Sequence, residues 1–247
     1  MTAYTADNGV FINKFGILNA EELNIAEYEL TERNAQLILT GRAALNTYSF
    51  DLLHLSSIHE FLFLDIYEWA GKLRTVPSSK RSSNGTISWF AEPNAILSIW
   101  QELAEKCGNF RKAEDKQHQQ RVDALVDIFV QANFCHPFPE GNGRSLQIFL
   151  KQLAHTQALD LDYTKVKKEE WNYASAVSGK HGRLFEHRIP IYSQPDSAPI
   201  RKIFSRISVP LDLSKEASSS NTPPNTNTSN EPKEEKQSSR RPGPLLR

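Results

Sequence analysis

The strongest constraint on the fold is a nine-residue polar stretch, His136 to Arg144, that lies between two runs of regularly spaced apolar residues. Both runs place apolar side chains three or four positions apart, which is the spacing of one face of an α-helix. These residues are Val122, Leu125, Val126 and Phe129 before the stretch and Leu146, Phe149, Leu150 and Leu153 after it. The pattern predicts helix, tight loop and helix, with the loop opening the second helix at Gly143-Arg144. We call residues 136–144 the motif loop.

The second half of the motif loop has the chemistry of an anion site. Gly141, Asn142 and Gly143 allow the backbone to curl so that successive N–H groups point at one ligand. They lie at a predicted helix N-terminus, where unpaired N–H groups and the helix dipole favour negative charge. Arg144 adds a guanidinium that can bind phosphate through two hydrogen bonds. We therefore predict that this part of the loop binds phosphate.

The first half of the loop supplies a base and a carboxylate. His136 can act as a general base near neutral pH. Glu140 can bind Mg²⁺, which would accompany a polyphosphate. With the anion site, these residues predict phosphoryl or nucleotidyl transfer. The competing interpretation is a polar helix–helix loop with a glycine turn, and the coincidence of separate chemical roles at workable spacing disfavours it.

Composition excludes several classes of protein. The chain has 29 Lys and Arg residues against 29 Asp and Glu, so no excess positive charge predicts direct nucleic-acid binding. Cys107 and Cys135 have no paired spacing, which fits thiols packed in a reducing compartment. A Cys135–His136 nucleophile is disfavoured, because adjacent residues of a helix point about 100° apart. Neither a signal peptide nor a membrane-spanning run is found, so we expect a cytoplasmic protein without membrane contact.

The rest of the chain predicts an all-α protein with one inserted β-hairpin. Asn84-Gly85 is a strong signal for a two-residue hairpin turn, within a segment from Leu73 to Phe90. Such a hairpin is marginal alone, so we expect a partner strand to complete it. The predicted helices run from Asn19 to Gly41, Ser49 to Gly71, Pro93 to Gly108, Lys167 to Val177 and Ala198 to Ile207, with a charged linker at 109–117. We expect one domain over residues 1–208 and a disordered polar tail over 209–247.

The motif loop resembles the Fic family motif H-x-F-x-[D/E]-G-N-G-R-x-x-R at every specified position through Arg144. The final arginine of the motif is replaced by Gln147. A second segment, from Ile66 to Thr75, is similar to the sequence that leads into the hairpin flap of Fic proteins. The similarity spans roughly residues 13–207. It implies the Fic fold, a helical bundle with the motif loop between two central helices and a small β-hairpin flap beside it.

The resemblance also implies an activity, AMPylation, in which AMP moves from ATP to a Ser, Thr or Tyr hydroxyl of a target protein. His136 would be the base and Glu140 the Mg²⁺ ligand. The backbone of residues 141–143 and Arg144 would hold the phosphates, with Gln147 at the second clamp position. The flap, Ser78 to Thr86, would dock the target, and Ser79 and Lys80 would line the nucleotide.

Control of the activity is a further expectation from the resemblance. Many Fic proteins carry an inhibitory segment [S/T]-x-x-x-E-[G/N], and the only Glu followed by Gly or Asn here is Glu140 of the motif loop itself. This pattern resembles Fic toxins that a separate small antitoxin protein restrains. Known toxins of that type modify DNA gyrase and topoisomerase IV.

Three alternatives stay open at the level of sequence. A phosphotransferase of the related Doc type would carry lysine at position 143, so Gly143 disfavours it. A catalytically weakened Fic domain that serves as a protein-binding module is suggested by Gln147 and opposed by His136. A secreted effector is suggested by the basic end of the tail, which includes Arg240, Arg241 and Arg247.

Overall fold

The fold is a helical bundle with two small sheets, in a computed structural model that describes residues 4–82, 84–114, 117–186 and 189–211. The predicted fold class is confirmed. Helices in these ranges are α1 (Ala20–Leu39), α2 (Leu52–Phe63), α3 (Ile96–Arg111), α4 (His118–Cys135), α5 (Asn142–His155), α6 (Lys168–Ser178) and α7 (Ala198–Ile207). Strands are β1 (Ser79–Arg81), β2 (Ile87–Trp89), β3 (Leu159–Leu161), β4 (His181–Phe185), β5 (Ile189–Ser193) and β6 (Ser208–Pro210). Within the same ranges, no helix combines the length and apolar character needed to cross a membrane.

Helices α4 and α5 form the centre of the bundle, as the apolar periodicity predicts. α4 packs against α3, α5 and α7, while α5 packs against α2 and α4. Every apolar residue used to predict the two helices is buried. Burying a large aliphatic or aromatic side chain contributes about 1.5–3 kcal/mol, so these faces fix how the two helices meet. The motif loop is therefore a short connection between the two central helices of the bundle.

The predicted helix bounds need three corrections. The second helix is capped by Asp51, whose Oδ1 accepts from the N–H of His54, while Ser49 donates its hydroxyl to Asp51 instead of capping the helix. That helix ends at Phe63 and not at Gly71, because tight turns follow it. The predicted linker at 109–117 is partly helical, since α3 continues to Arg111.

The predicted hairpin is present, but it is half of a larger sheet. β1 and β2 pair antiparallel, and β4 and β5 extend the sheet in the order β1-β2-β4-β5. The strand that completes the hairpin is therefore β4 of the same chain, which pairs with β2. Sequence patterning missed β4 and β5 because most of their residues are exposed, which leaves no alternation of apolar and polar positions. Within the part of the chain that the structure describes, β1 is an edge strand of this sheet.

The predicted boundary at residue 208 falls inside a strand. β6 pairs with β3, and Leu211 donates its backbone N–H to Ala158, so ordered structure continues three residues further. Residues 212–247, most of the predicted tail, lie outside the described residues.

We predict that a chain ending at Leu211 keeps the wild-type melting temperature and nucleotide affinity. A chain ending at Ile207 should melt lower, because β3 loses its ladder partner. Differential scanning calorimetry of both truncations checks this, and equal melting temperatures would contradict the assigned role of β6.

Candidate active site

The motif loop is built by two backbone reversals and one side chain. His136 ends α4 in the left-handed conformation (φ 47°), and Gly141 opens α5 with φ 78°. Between them, the Asn142 side chain accepts from the Phe138 N–H at 2.9 Å and donates to the Phe138 carbonyl at 2.8 Å. Phe138 itself is fully buried. The Asn142 side chain therefore braces the loop at the first residue of α5.

His59 of α2 supports the motif loop through hydrogen bonds and ring stacking. The Gly71 N–H donates to Nδ1 of His59 at 2.9 Å, so Nε2 carries the proton and donates to the Glu140 carbonyl at 2.9 Å. The ring stacks on Phe138 at 3.9 Å and on Phe63 at 4.7 Å. Burial lowers the pKa of His59 to about 3, which keeps the ring neutral.

The His136 ring is held by an aromatic contact and a polar contact, and it is neutral. Its ring stacks on Phe90, with centroids 3.6 Å apart and planes 4° from parallel. Nδ1 lies 3.4 Å from the Asn133 carbonyl, which favours a proton on Nδ1 and leaves Nε2 as the acceptor. Burial, and next the positive charge of Lys80, lower the pKa of His136 to about 3. The imidazole is therefore neutral at physiological pH.

The two glycines of the loop differ in how closely other atoms surround them. A Cβ on Gly141 would lie 2.3 Å from two ring carbons of Phe63, so this position must be glycine for space as well as for its positive φ. A Cβ on Gly143 would meet nothing within 4 Å, and Gly143 is exposed. The backbone at Gly143 is open to a ligand, whereas Gly141 is packed against the core.

Arg144 is held by a network that the sequence did not reveal. Its Nη2 donates to Glu27 at 2.5 Å, its Nη1 donates to Thr31 at 3.1 Å, and the guanidinium lies 4.8 Å from the centre of the Phe63 ring. Glu27 is buried and accepts a second hydrogen bond from the Tyr67 hydroxyl. The arginine is thus oriented by α1, and its other N–H groups are the ones that a phosphate can use.

A cavity of about 670 Å³ opens beside the loop and brings most of the predicted residues together. Its wall includes Glu140, Gly141, Gly143, Arg144, Gln147 and Lys80. The remaining wall comes from the N-terminal segment, α1, α6 and Tyr67, with Phe11, Tyr28, Tyr67 and Trp171 as its aromatic members. A volume in this range suits a nucleotide-sized ligand.

Four predicted residues differ from the others in where they lie. His136, Asn142 and Ser79 do not line this cavity, and Ser79 lies on the exposed strand β1 opposite Trp89. Gln147 is buried at the cavity wall one helical turn after Arg144, at the position of the final arginine in the family motif.

The two cysteines take no part in this chemistry. Cys107 and Cys135 are free thiols buried in the core, and burial raises the pKa of each to about 12. A thiol with that pKa is protonated and a poor nucleophile. Burial of the thiol therefore disfavours the Cys135–His136 nucleophile, as helix geometry also does.

Sequence reasoning missed the residues that support the site from a distance: Glu27, Thr31, Tyr67, Arg74 and Phe90. Arg74 and Tyr67 lie in the segment singled out before the flap, so that segment was the available signal. Nothing in the local pattern of α1 indicated that Glu27 and Thr31 face Arg144.

Comparison with known proteins agrees with this geometry. The Fic/DOC family model matches residues 49–154. Protein adenylyltransferase VbhT of Bartonella schoenbuchensis is 34% identical over 177 residues, which cover 70% of this chain and 34% of that protein. "Probable protein adenylyltransferase Fic" of Escherichia coli is 32% identical over 176 residues, which cover 70% of this chain and 80% of that protein. The chain thus spans about a third of the length of the larger Bartonella relatives.

A solved structure shows the same fold. The N-terminal Fic domain of a VirB-translocated Bep effector protein from Bartonella quintana superposes with a TM-score of 0.68 at 23% identity, covering 87% of this chain and 96% of that one. The motif loop between two buried helices, the flap beside it and these likenesses lead to one conclusion: the chain belongs to the Fic/DOC family.

Proposed function

We propose that this protein transfers AMP from ATP to a hydroxyl side chain of a target protein. The observation that carries the proposal is the motif loop, which presents Gly143 and Arg144 to one cavity while His136 stands at the start of the same loop as a neutral base. Relatives named protein adenylyltransferases support the reaction type.

In the proposed reaction, Nε2 of His136 takes the proton of the target hydroxyl. The oxygen attacks the α-phosphorus of ATP, the bond from that phosphorus to the bridging oxygen of the β-phosphate breaks, and pyrophosphate leaves. The backbone N–H groups of residues 141–143 stabilise charge on the α-phosphate during attack. Arg144 binds the departing pyrophosphate through the donors that Glu27 and Thr31 leave unused.

Glu140 fits the proposed role of a Mg²⁺ ligand. Its side chain is half exposed, lines the cavity and lies 3.7 Å from the Arg144 guanidinium, so it borders the proposed phosphate site. Mg²⁺ is commonly held by one or two carboxylates together with substrate phosphates and water, and a single carboxylate here suits that pattern. The ion would supply positive charge to the polyphosphate.

The proposed target site is the open edge of the flap. All three residues of β1 are exposed, and among the described strands β1 has a neighbour on one side only, since β4 occupies the far side of β2. An extended segment of a target protein can add to such an edge through backbone hydrogen bonds. Lys80 on β1 also lines the cavity, which would bring the added segment close to the nucleotide.

The test uses purified protein, Mg²⁺, a bacterial lysate and ATP labelled in either the α- or the γ-phosphate. Labelling of a protein band from α-labelled ATP alone supports AMP transfer. Labelling from γ-labelled ATP alone would replace the proposal with the phosphotransferase alternative. A chain that binds ATP but labels nothing would favour the protein-binding module.

The same gel addresses the proposed biological role, a toxin restrained by a small antitoxin protein. The given sequence does not contain [S/T]-x-x-x-E-[G/N], since His136 stands four positions before Glu140-Gly141, and this supports separate control. Labelled bands that mass spectrometry identifies as subunits of DNA gyrase or topoisomerase IV would support the toxin role. Labelling of eukaryotic lysate proteins alone would favour an effector instead.

Position 147 provides a quantitative prediction. Gln147→Arg should add a charge-assisted hydrogen bond to the terminal phosphate, worth roughly 1.5–3 kcal/mol when well aligned. Affinity for ATP should then rise by roughly tenfold or more, and affinity for ADP should rise less. Isothermal titration in a His136→Ala background measures both, with Gln119→Arg on the exposed side of α4 as the control. Equal gains for ATP and ADP would show that position 147 does not contact the terminal phosphate.

A further inference from the structure

Arg74 is a buried cation whose four side-chain hydrogen bonds, within the described residues, all go to backbone carbonyls. The residue is 2% exposed and lies between α2 and the flap. Its Nε donates to the His136 carbonyl at 2.7 Å, and its Nη2 donates to the Cys135 carbonyl at 3.2 Å and to the Ala91 carbonyl. Its Nη1 donates to the Val76 carbonyl at 2.8 Å. None of the ion pairs found across the described residues includes Arg74.

Burying the Arg74 guanidinium without a counter-ion costs free energy. A residue that only stabilised the fold would not need a charge at this position. A buried charge without a counter-ion is unfavourable unless hydrogen bonds satisfy it. Here the carbonyls of the last turn of α4 satisfy it, and these groups have no partner within the helix. The negative end of the α4 dipole favours the guanidinium at the same place. Arg74 therefore binds to the helix end that carries His136.

The carbonyls that Arg74 binds belong to two separate parts of the protein. Cys135 and His136 end α4, while Val76 and Ala91 flank the two strands of the flap hairpin. The backbone N–H of Arg74 adds a bond to the Pro137 carbonyl at 2.8 Å. One side chain thus ties the base-bearing turn to both ends of the hairpin.

The turn that Arg74 holds is strained. His136 has φ 47°, a left-handed conformation that is unfavourable for a residue other than glycine. Its ring orientation also depends on Phe90, which stacks on it and precedes Ala91 in the chain. By fixing the carbonyls of His136 and Ala91 together, Arg74 fixes both rings of the stack.

We propose that Arg74 is a positioning residue that sets the orientation of the His136 imidazole relative to the flap. It touches neither the cavity nor the proposed nucleotide, since it does not line the cavity wall. This inference rests on the proposed function only for the expected effect on the rate of AMP transfer. The geometric part can be tested on the folded protein without any turnover.

The test compares Arg74→Lys and Arg74→Gln with the wild-type chain. The first readout is the NMR shift of the His136 ring protons, assigned by their loss in His136→Ala. Stacking on Phe90 at 3.6 Å shields these protons, so both variants should move them toward the values of an unstacked histidine. The control is Arg121→Lys, because Arg121 also donates to a backbone carbonyl, that of Gln157, but at the other end of α4.

The second readout separates turnover from binding. We expect the kcat for AMP transfer to fall by roughly 100-fold, the scale of a misplaced catalytic group. The Kd for ATP should stay within about twofold, and Arg121→Lys should leave both values unchanged. Of the two replacements, lysine should retain more activity, because its ammonium still offers donors and charge to the carbonyls.

The outcomes are distinguishable. If the His136 signal shifts in the Arg74 variants and the wild-type chain has no transferase activity, the positioning role is supported and the proposed function is contradicted. An unmoved His136 signal in folded variants would overturn the positioning role, whatever the activity. Loss of ATP affinity in parallel with kcat, or unfolding of both variants, would assign Arg74 to general stability and would also overturn the proposal.

Discussion

Replacing His136 by alanine should reduce AMP transfer by about 10²–10⁴-fold, the usual contribution of a general base. The physical reason is that a neutral hydroxyl attacks poorly unless a neighbouring group takes its proton. ATP binding should persist, because the side chain of His136 does not line the cavity. Initial rates with α-labelled ATP and the Kd from isothermal titration give the two numbers.

Two further variants separate the loss of the imidazole base from a disturbance of the backbone turn at position 136. His136→Asn keeps a residue type that tolerates the left-handed conformation, so a loss of activity there cannot be assigned to the turn. His118→Ala removes an exposed histidine from the first turn of the same helix and should leave the rate unchanged. Wild-type rates in either His136 variant would show that another group takes the proton.

Gly141→Ala should cause the largest loss of stability among the loop variants. Alanine at φ 78° costs about 1–2 kcal/mol, and forcing a methyl group against the buried Phe63 ring costs typically 1–3 kcal/mol more. The melting temperature should fall by roughly 5–20 °C for a protein of this size. The His59 bond to Glu140 depends on the same turn, so nucleotide binding should weaken as well.

Gly143→Ala is the matched control, because the same methyl group meets no protein atom within 4 Å there. Stability should be unchanged or slightly higher, since alanine is favoured over glycine in a helix by about 0.5–1 kcal/mol. ATP affinity should nevertheless fall by roughly tenfold or more, because the methyl group occupies the space through which a phosphate approaches the backbone. If both variants lose stability and neither loses affinity, the motif loop is a structural turn and not a phosphate site.

The sequence alone determined the parts of this protein that depend on neighbouring residues. The helical periodicity on both sides of the motif loop predicted α4 and α5, and Asn19 capped α1 as its side chain indicated. Asn84-Gly85 predicted the turn between β1 and β2. Periodicity, caps and tight turns are local properties, so a single sequence reports them.

Tertiary structure decided how that loop is held and what completes the flap. His59 lies 81 positions from Glu140, Glu27 lies 117 positions from Arg144, and Arg74 lies 62 positions from His136. β4 joins β2 from a distant, mostly exposed part of the chain. These contacts depend on which helix faces the bundle brings together. The residues that surround each partner in the sequence do not indicate which distant residue it will contact. The motif residues could therefore be predicted from the sequence, whereas the supports that orient them could not.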